Sequence, residues 1–169
     1  MPTIRNARED EAELLSEIGL RAWEDAMGEI GVSPELRENA QAAFRGFTYG
    51  AWLTITVVEE AGTVAGWAAR EGLDELISDF WIDPAFKRRG LGTALLREIE
   101  EQIAAHGHPV ARLETHARNV EALRFFEGKG YGVNWLSVVY SPKLDQDVQS
   151  VGLSKQLVEE DEAPFGYDV

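Results

Sequence analysis

The sequence predicts a mixed α/β (α+β) fold, a sheet with helices packed on it. Three observations carry this. Residues 52–70 read as a β-hairpin: two runs rich in β-branched residues around Ala61-Gly62. From residue 76 onward, strand and helix patterns alternate. Neither an internal repeat nor a linker divides the 169 residues, a length that one substantial core can organise.

The elements follow in order. Residues 3–8 alternate weakly and form a short strand. Asp10 followed by Glu13 has the spacing of a capping box, and Leu14, Leu15, Ile18, Ala22, Trp23 and Ala26 continue at helical intervals. Gly28 and Gly31 end that helix. Ser33-Pro34-Glu35 opens a second: a cap, a proline at the first helical position, then a carboxylate. It runs to about Phe47 and closes at Tyr49-Gly50. The hairpin strands are 52–59 and 63–70. A strand at 76–82 stops at Asp83-Pro84. Leu91, Leu95, Leu96, Ile99 and Ile103 mark one face of a helix over 91–105, ended by Gly107 and Pro109. A strand at 110–115, a helix at 119–129 ended by Gly130, and strands at 135–140 and 148–157 complete the pattern. Residues 1–157 form the domain and 158–169 an acidic tail.

Composition narrows the function. Hydrophobic residues are 44% and charged residues 27%, a balance that forms a packed core rather than a disordered chain. No apolar run approaches the roughly 18 residues of a membrane span. The start, Met1 to Arg5, lacks the apolar stretch of a secretory signal, so the cytoplasm is the expected location. Cysteine is absent, which excludes disulfides, thiol nucleophiles and thiolate zinc sites together. Three histidines are too few to make a metal site attractive, and no metal is expected. Sixteen basic against thirty acidic residues give a net charge of −14, which repels nucleic acid and would attract cationic partners such as amines, polyamines or basic peptides; support of solubility alone is the alternative.

Against that acidity, three consecutive cations stand out at Lys87-Arg88-Arg89. They lie between a strand end and Gly90-Leu91-Gly92-Thr93, which opens a helix. A helix N-terminus presents unpaired N–H groups and the positive end of its dipole. Glycines let an anion approach the backbone, and Thr93 adds a hydroxyl. The expectation is a pyrophosphate cradle. The loop lacks both the third small residue of a dinucleotide fingerprint and the Gly-Lys-Ser/Thr ending of a P-loop. A plain strand-to-helix turn with solvated cations is the alternative.

The stretch KRRGLGTALL after a strand and Asp-Pro resembles motif A of the GNAT superfamily of acetyl-CoA-dependent N-acetyltransferases, Arg/Gln-x-x-Gly-x-Gly/Ala. LETHARN, then ALRFFE and Gly130-Tyr131, resembles that family's later strand, Asn, helix and Gly-aromatic ending. The order of elements from residue 3 to about 157 is also similar. The resemblance implies a central, mostly antiparallel sheet with one parallel strand pair, 76–82 and 110–115, splayed at its C-terminal end, and about four flanking helices. It implies acetyl-CoA as cosubstrate. Its pantetheine arm would lie in the splay beside Phe80 and Ile82, and its pyrophosphate on Lys87, Arg88, Arg89, Gly90, Leu91, Gly92 and Thr93. Asn119 would sit near the thiol end, and Phe126 would line the channel by the sulfur. Two positions depart from the pattern. Lys87 replaces Arg or Gln. Phe126 replaces the tyrosine that usually protonates the departing thiolate, and phenylalanine has no proton to give. Water, Tyr131 or Tyr140 remain for that role.

The implied reaction is direct attack of a neutral primary amine, on a small molecule or peptide, upon the thioester in a ternary complex. The absence of cysteine agrees with that. A backbone N–H near Ile82 would serve the oxyanion. A base must deprotonate the amine. Glu114 is the first candidate, because ribosomal-protein N-terminal acetyltransferases, which this segment resembles, use a Glu there; burial between strands would tune it. Asp79 is the second, with Glu75 and His116 behind it. Trp23, Glu24, Asp25, Met27, Glu29, Trp67 and Glu71 are expected around the acceptor, where aromatic rings and carboxylates suit a cation. Gly66 and Ala68 would leave room for a longer acyl group. A non-catalytic acyl-CoA-binding regulator and a domain with a vestigial anion site are the rival readings. A homodimer is the family-level expectation.

Overall fold

The computed structural model describes residues 1–28, 31–141 and 146–158. Glu29 and the acidic run 159–162 lie outside them. The described chain runs β1 (Thr3–Asn6), α1 (Ala12–Ala26), α2 (Pro34–Ala51), β2 (Ile55–Glu60), β3 (Thr63–Ala69), β4 (Leu76–Ile77), β5 (Asp79–Ile82), α3 (Leu91–Ala105), β6 (Val110–His116), α4 (Val120–Gly128), β7 (Gly132–Ser141) and β8 (Gln146–Gln156). Two four-stranded sheets result, in the orders β1-β2-β3-β5 and β4-β6-β8-β7. All pairings are antiparallel except β4 with β6, where Leu76 faces Arg112 and Ile77 faces Leu113.

That parallel pair lasts two residues and then opens, because the expected single strand 76–82 is broken at Ser78. The Ser78 N–H and hydroxyl both donate to the Ala69 carbonyl, and its oxygen accepts the Glu71 N–H. The chain is thereby pulled from β6 toward β3. Residues 79–82 then pair with β3, Trp81 opposite Trp67 and Ile82 opposite Gly66. Gly66 serves this crossing: a Cβ there would meet Ile82 Cδ1 at 2.6 Å and the Trp81 carbonyl at 2.7 Å. Ala68 is fully buried in the core beside it. Neither position is spare room for an acyl chain.

Two cores sandwich the sheets. Leu91, Leu95, Leu96, Ile99 and Ile103 of α3 pack on Val58, Ala65, Ala111, Leu113 and Leu153. Leu15, Ile18 and Trp23 of α1 and Ala40 and Phe44 of α2 pack on Ile55, Val57 and Trp67. Trp67 is wholly buried, stacks on Phe47 at 6.0 Å and donates its Nε1–H to the Leu15 carbonyl at 2.8 Å. It is a core residue, which corrects the expectation that it meets the acceptor.

Several boundaries also shift. The Ser33 cap is present, its oxygen accepting the Leu36 N–H at 3.1 Å with Pro34 behind it. The helix passes Tyr49-Gly50, because Thr48 is buried on the same face as Phe44 and the Tyr49 hydroxyl donates to Glu13 of α1. A 3-10 turn, Trp52–Thr54, then hands over to β2, which starts three residues later than expected. Asp10 does not cap α1. A 3-10 turn over Glu9–Glu11 precedes it, where Glu11 accepts the Arg8 N–H and binds Arg5. Among the described residues no helix is long and apolar enough to cross a membrane.

Candidate active site

The opening between β5 and β6 makes a cleft, and α3 begins at its edge. Asp83 stops β5: its Oδ1 accepts the Ala85 N–H at 3.1 Å, and its Oδ2 pairs with Arg21 of α1 at 2.7 Å. Burial alone would raise the Asp83 carboxyl, but Arg21 and that N–H hold it below the usual range. The chain then turns through Arg88 and Gly90, both at positive φ (65° and 78°). Gly90 is the N-cap of α3, which has no side-chain cap, so the first-turn N–H groups keep their donors. A Cβ on Gly90 would meet nothing within 4 Å.

In front of this turn lies a cavity of about 400 Å³. Phe80 and Ile82 come to it from β5, Lys87 and Arg88 from the loop, Gly90, Leu91, Gly92 and Thr93 from the start of α3, Phe126 from α4 and Asn119 from its cap. β5 is the edge of its sheet, and Asp83 N–H bonds to the Ala65 carbonyl. Alternation along an antiparallel strand therefore turns the N–H groups of Phe80 and Ile82 to the open side. Arg89 stands apart from the cavity wall, paired with Glu60 at 2.6 Å and lying over the Phe86 ring. Lys87 is bound on both sides, by Asp25 of α1 and by Glu121 of α4 at 3.0 Å. The Asp25 contact chiefly raises its pKa.

A second cavity, of about 370 Å³, lies on the other side of the splay. It shares Ala26, Trp81 and Asn119 with the first. Trp23 and Met27 of α1 line it, as do Ser78 and the end of β6 at Glu114, Thr115 and His116. Glu114 is exposed, not buried between strands, because residues 111 and 113 are the inward pair of β6. Asp79 lines neither cavity; its Oδ1 accepts the Nε1–H of Trp81 at 3.1 Å and so orients the indole between them. Glu24 is paired with Arg37 at 2.7 Å, outside both. Glu75 pairs with Arg112. His116 Nδ1 accepts the Arg118 N–H at 3.0 Å, so the neutral ring carries its proton on Nε2. Burial, then Arg118, lowers its pKa and keeps it neutral at pH 7.

Both tyrosine candidates stand elsewhere. The Tyr131 hydroxyl donates to Glu100 at 2.8 Å on the α3 side, and burial and that carboxylate push the phenol up. Tyr140 is exposed on β7. Phe80, Phe125 and Phe126 form the apolar wall instead, with ring centroids 5.0–5.9 Å apart. Trp81 and Arg21 are the participants that sequence reasoning missed. The Asp-x-Trp spacing at 79–81 places both on one strand face and is the signal for the first. Nothing local joins Arg21 to Asp83.

Residues 12–132 match the sequence profile of the acetyltransferase (GNAT) family. Over 64 residues the chain is 31% identical to the ribosomal protein bS18 alanine N-acetyltransferase of Escherichia coli; the match covers 38% of this chain and 43% of that protein. The chain thus spans less than half the length of the curated relatives it matches. Among solved structures, a GCN5-related N-acetyltransferase from Rhodopseudomonas palustris superposes with a TM-score of 0.78 at 20% identity, covering 93% of this chain and 96% of that one. The PaiA N-acetyltransferase of Thermoplasma acidophilum, in complex with coenzyme A, gives 0.77 at 17% identity over 92% and 99%. These likenesses establish the fold.

Proposed function

This chain belongs to the acetyltransferase (GNAT) family, and on that premise we propose that it transfers acetyl from acetyl-CoA to a primary amine, which attacks directly in a ternary complex. The observation that carries this reading is the pair of cavities meeting at Trp81 and Asn119, one fronted by an anion cradle and the other by Glu114. The cradle suits a pyrophosphate on structural grounds: open space at Gly90, an uncapped 15-residue helix, and Arg88 on the wall. The coenzyme A complex of the Thermoplasma relative supports the same ligand. Bound there, acetyl-CoA supplies an activated acetyl group.

The chain's residues then divide the work. The outward N–H groups of Phe80 and Ile82 hold the pantetheine arm and the oxyanion that develops. Glu114 removes a proton from the acceptor ammonium, through water where the two are not in direct reach. Phe80, Phe125 and Phe126 exclude water from the thioester. The acceptor enters on the Trp23 and Met27 side. Glu24 and Asp25 are already ion-paired, so among the described residues Glu114 is the carboxylate that lines the cavity there.

A non-catalytic acyl-CoA-binding regulator is the second reading, favoured by the absence of a tyrosine from both cavity walls among the described residues. One experiment separates them. A hundredfold excess of acetyl-CoA over its Kd should stabilise the protein by about 2.7 kcal/mol, and Gly90→Glu should abolish the shift. Thiol release with a panel of primary amines should follow in the wild type and slow in Glu114→Gln. Binding without release at any amine concentration establishes the regulator; no shift in the wild type removes the ligand altogether.

A further inference from the structure

We propose that the side-chain amide of Asn119 is the hydrogen-bond donor that receives the departing thiolate, in the place a tyrosine hydroxyl would occupy. The inference rests on the acetyl-transfer reading above and adds to it a residue with a role at the reacting atoms.

Among the described residues three border both cavities: Ala26, Trp81 and Asn119. The thioester must lie at that border, with its coenzyme on one side and the amine on the other. Ala26 has no donor. The Trp81 Nε1–H is given to Asp79. Asn119 is different. Its Oδ1 caps α4 by accepting the Ala122 N–H at 3.2 Å. That bond fixes which end of the amide is oxygen, a choice that geometry alone would leave open. It leaves Nδ2, with two N–H donors, without a protein partner among the described residues. The nitrogen is not sealed in the core either: the one buried, unpartnered side-chain nitrogen or oxygen among the described residues is Arg70 Nε. The cap is therefore a device that aims a donor. The cavity it borders is lined by the mutually packed rings of Phe80, Phe125 and Phe126, and beside such an apolar surface a hydrogen bond to an anion is strong.

The step balances without an acid. The amine lone pair forms the new N–C bond. The C–S bond breaks and its electron pair remains on sulfur as the thiolate. Glu114 passes the ammonium's proton to solvent before the attack, and then accepts the second proton, which the nitrogen loses as the N–C bond forms. Asn119 keeps both amide protons and holds the thiolate through Nδ2–H until solvent protonates the sulfur.

The test uses Asn119→Asp and Asn119→Ser. Both keep an oxygen able to cap α4, so the fold is retained and the melting temperature stays close to the wild type. Aspartate keeps the shape and loses the donor; serine draws back from the sulfur. Ionisation of the thiol of bound coenzyme A is followed by the ultraviolet absorbance of the thiolate across pH. We expect it to move up by about one pH unit in both variants, the size of one charge-assisted hydrogen bond. Acetyl transfer should lose about 10- to 100-fold in kcat, with a smaller change in the KM for acetyl-CoA. Thiol ionisation at the same pH in all three proteins overturns the proposal. So does a loss confined to KM, which would make Asn119 a binding contact only. An ionisation shift without turnover on any amine would instead uphold the donor and overturn acetyl transfer. Failure of the wild type to bind coenzyme A overturns both.

Discussion

Lys87 shows why residue type and spacing can name a ligand group and still miss its state. Its place before Gly90-Leu91-Gly92 marks it for a phosphate, yet the folded chain gives it two carboxylates, Asp25 and Glu121. Each comes from a different helix, 62 and 34 residues away in sequence. A bound pyrophosphate must compete with them. Asp25→Asn and Glu121→Gln should therefore each tighten acetyl-CoA binding by about two- to fivefold, the scale of one partly exposed ion pair. Isothermal titration checks this, and the gain should shrink at high salt; weaker binding in both would show that the pairs organise the site. Arg88, Gly90, Leu91, Gly92 and Thr93, which line the same cavity, were legible as a group because they are close neighbours in sequence. Glu114 was legible as a candidate, but its exposure was not, since that depends on which face of β6 the core takes.

At the scale of elements, the site is made by an interruption. The stretch 76–82 reads as one strand, and the hydrogen bonds that split it at Ser78 come from Ala69 and Glu71 on the neighbouring segment. Only that split leaves β4 with β6 and β5 with β3, and opens the cleft in front of α3. Trp67 has the same lesson. Its sequence neighbourhood suits a substrate wall, but β3 lies between the α1 and α2 layer on one face and α3 on the other, and Trp67 is on the α1 and α2 side. Trp67→Ala should cost about 3–5 kcal/mol of stability, read by denaturant unfolding. Ser33→Ala, which removes a surface cap, should cost about 1 kcal/mol. A Trp67 variant that kept full stability and lost affinity only for the amine would return that residue to the acceptor site.

At the scale of the molecule, Glu11 and Asp83 link the fold to pH. Arg5 holds Glu11 below its ordinary pKa, and Arg21 with the Ala85 N–H holds Asp83 below its own. A folded pKa below the unfolded one gives stability that is present above the unfolded value and lost as pH falls through the folded value. The melting temperature should therefore decline below about pH 4, where unfolded carboxyls take up protons. Asp83→Asn lowers stability at pH 7, and its gap from the wild type should narrow as acid protonates Asp83. A gap that stays constant down to pH 2 would show that the Arg21 contact contributes nothing. The net charge of −14 does not decide this difference, since both proteins carry almost the same excess.

The sequence by itself determined the class of fold, the order of the elements, the cationic, glycine-bearing turn into α3 and the phenylalanine at 126. Each of these is written in contiguous residues, where periodicity, caps and glycines act over a turn or two of chain. The tertiary structure alone decided that the strand breaks at Ser78, that Trp67 is core, that Asp79 orients Trp81, and that the two cavities meet at Asn119. Those facts depend on partners far apart in sequence. A long-range contact is fixed by how whole faces of apolar surface pack together, and no local run of residues carries that information.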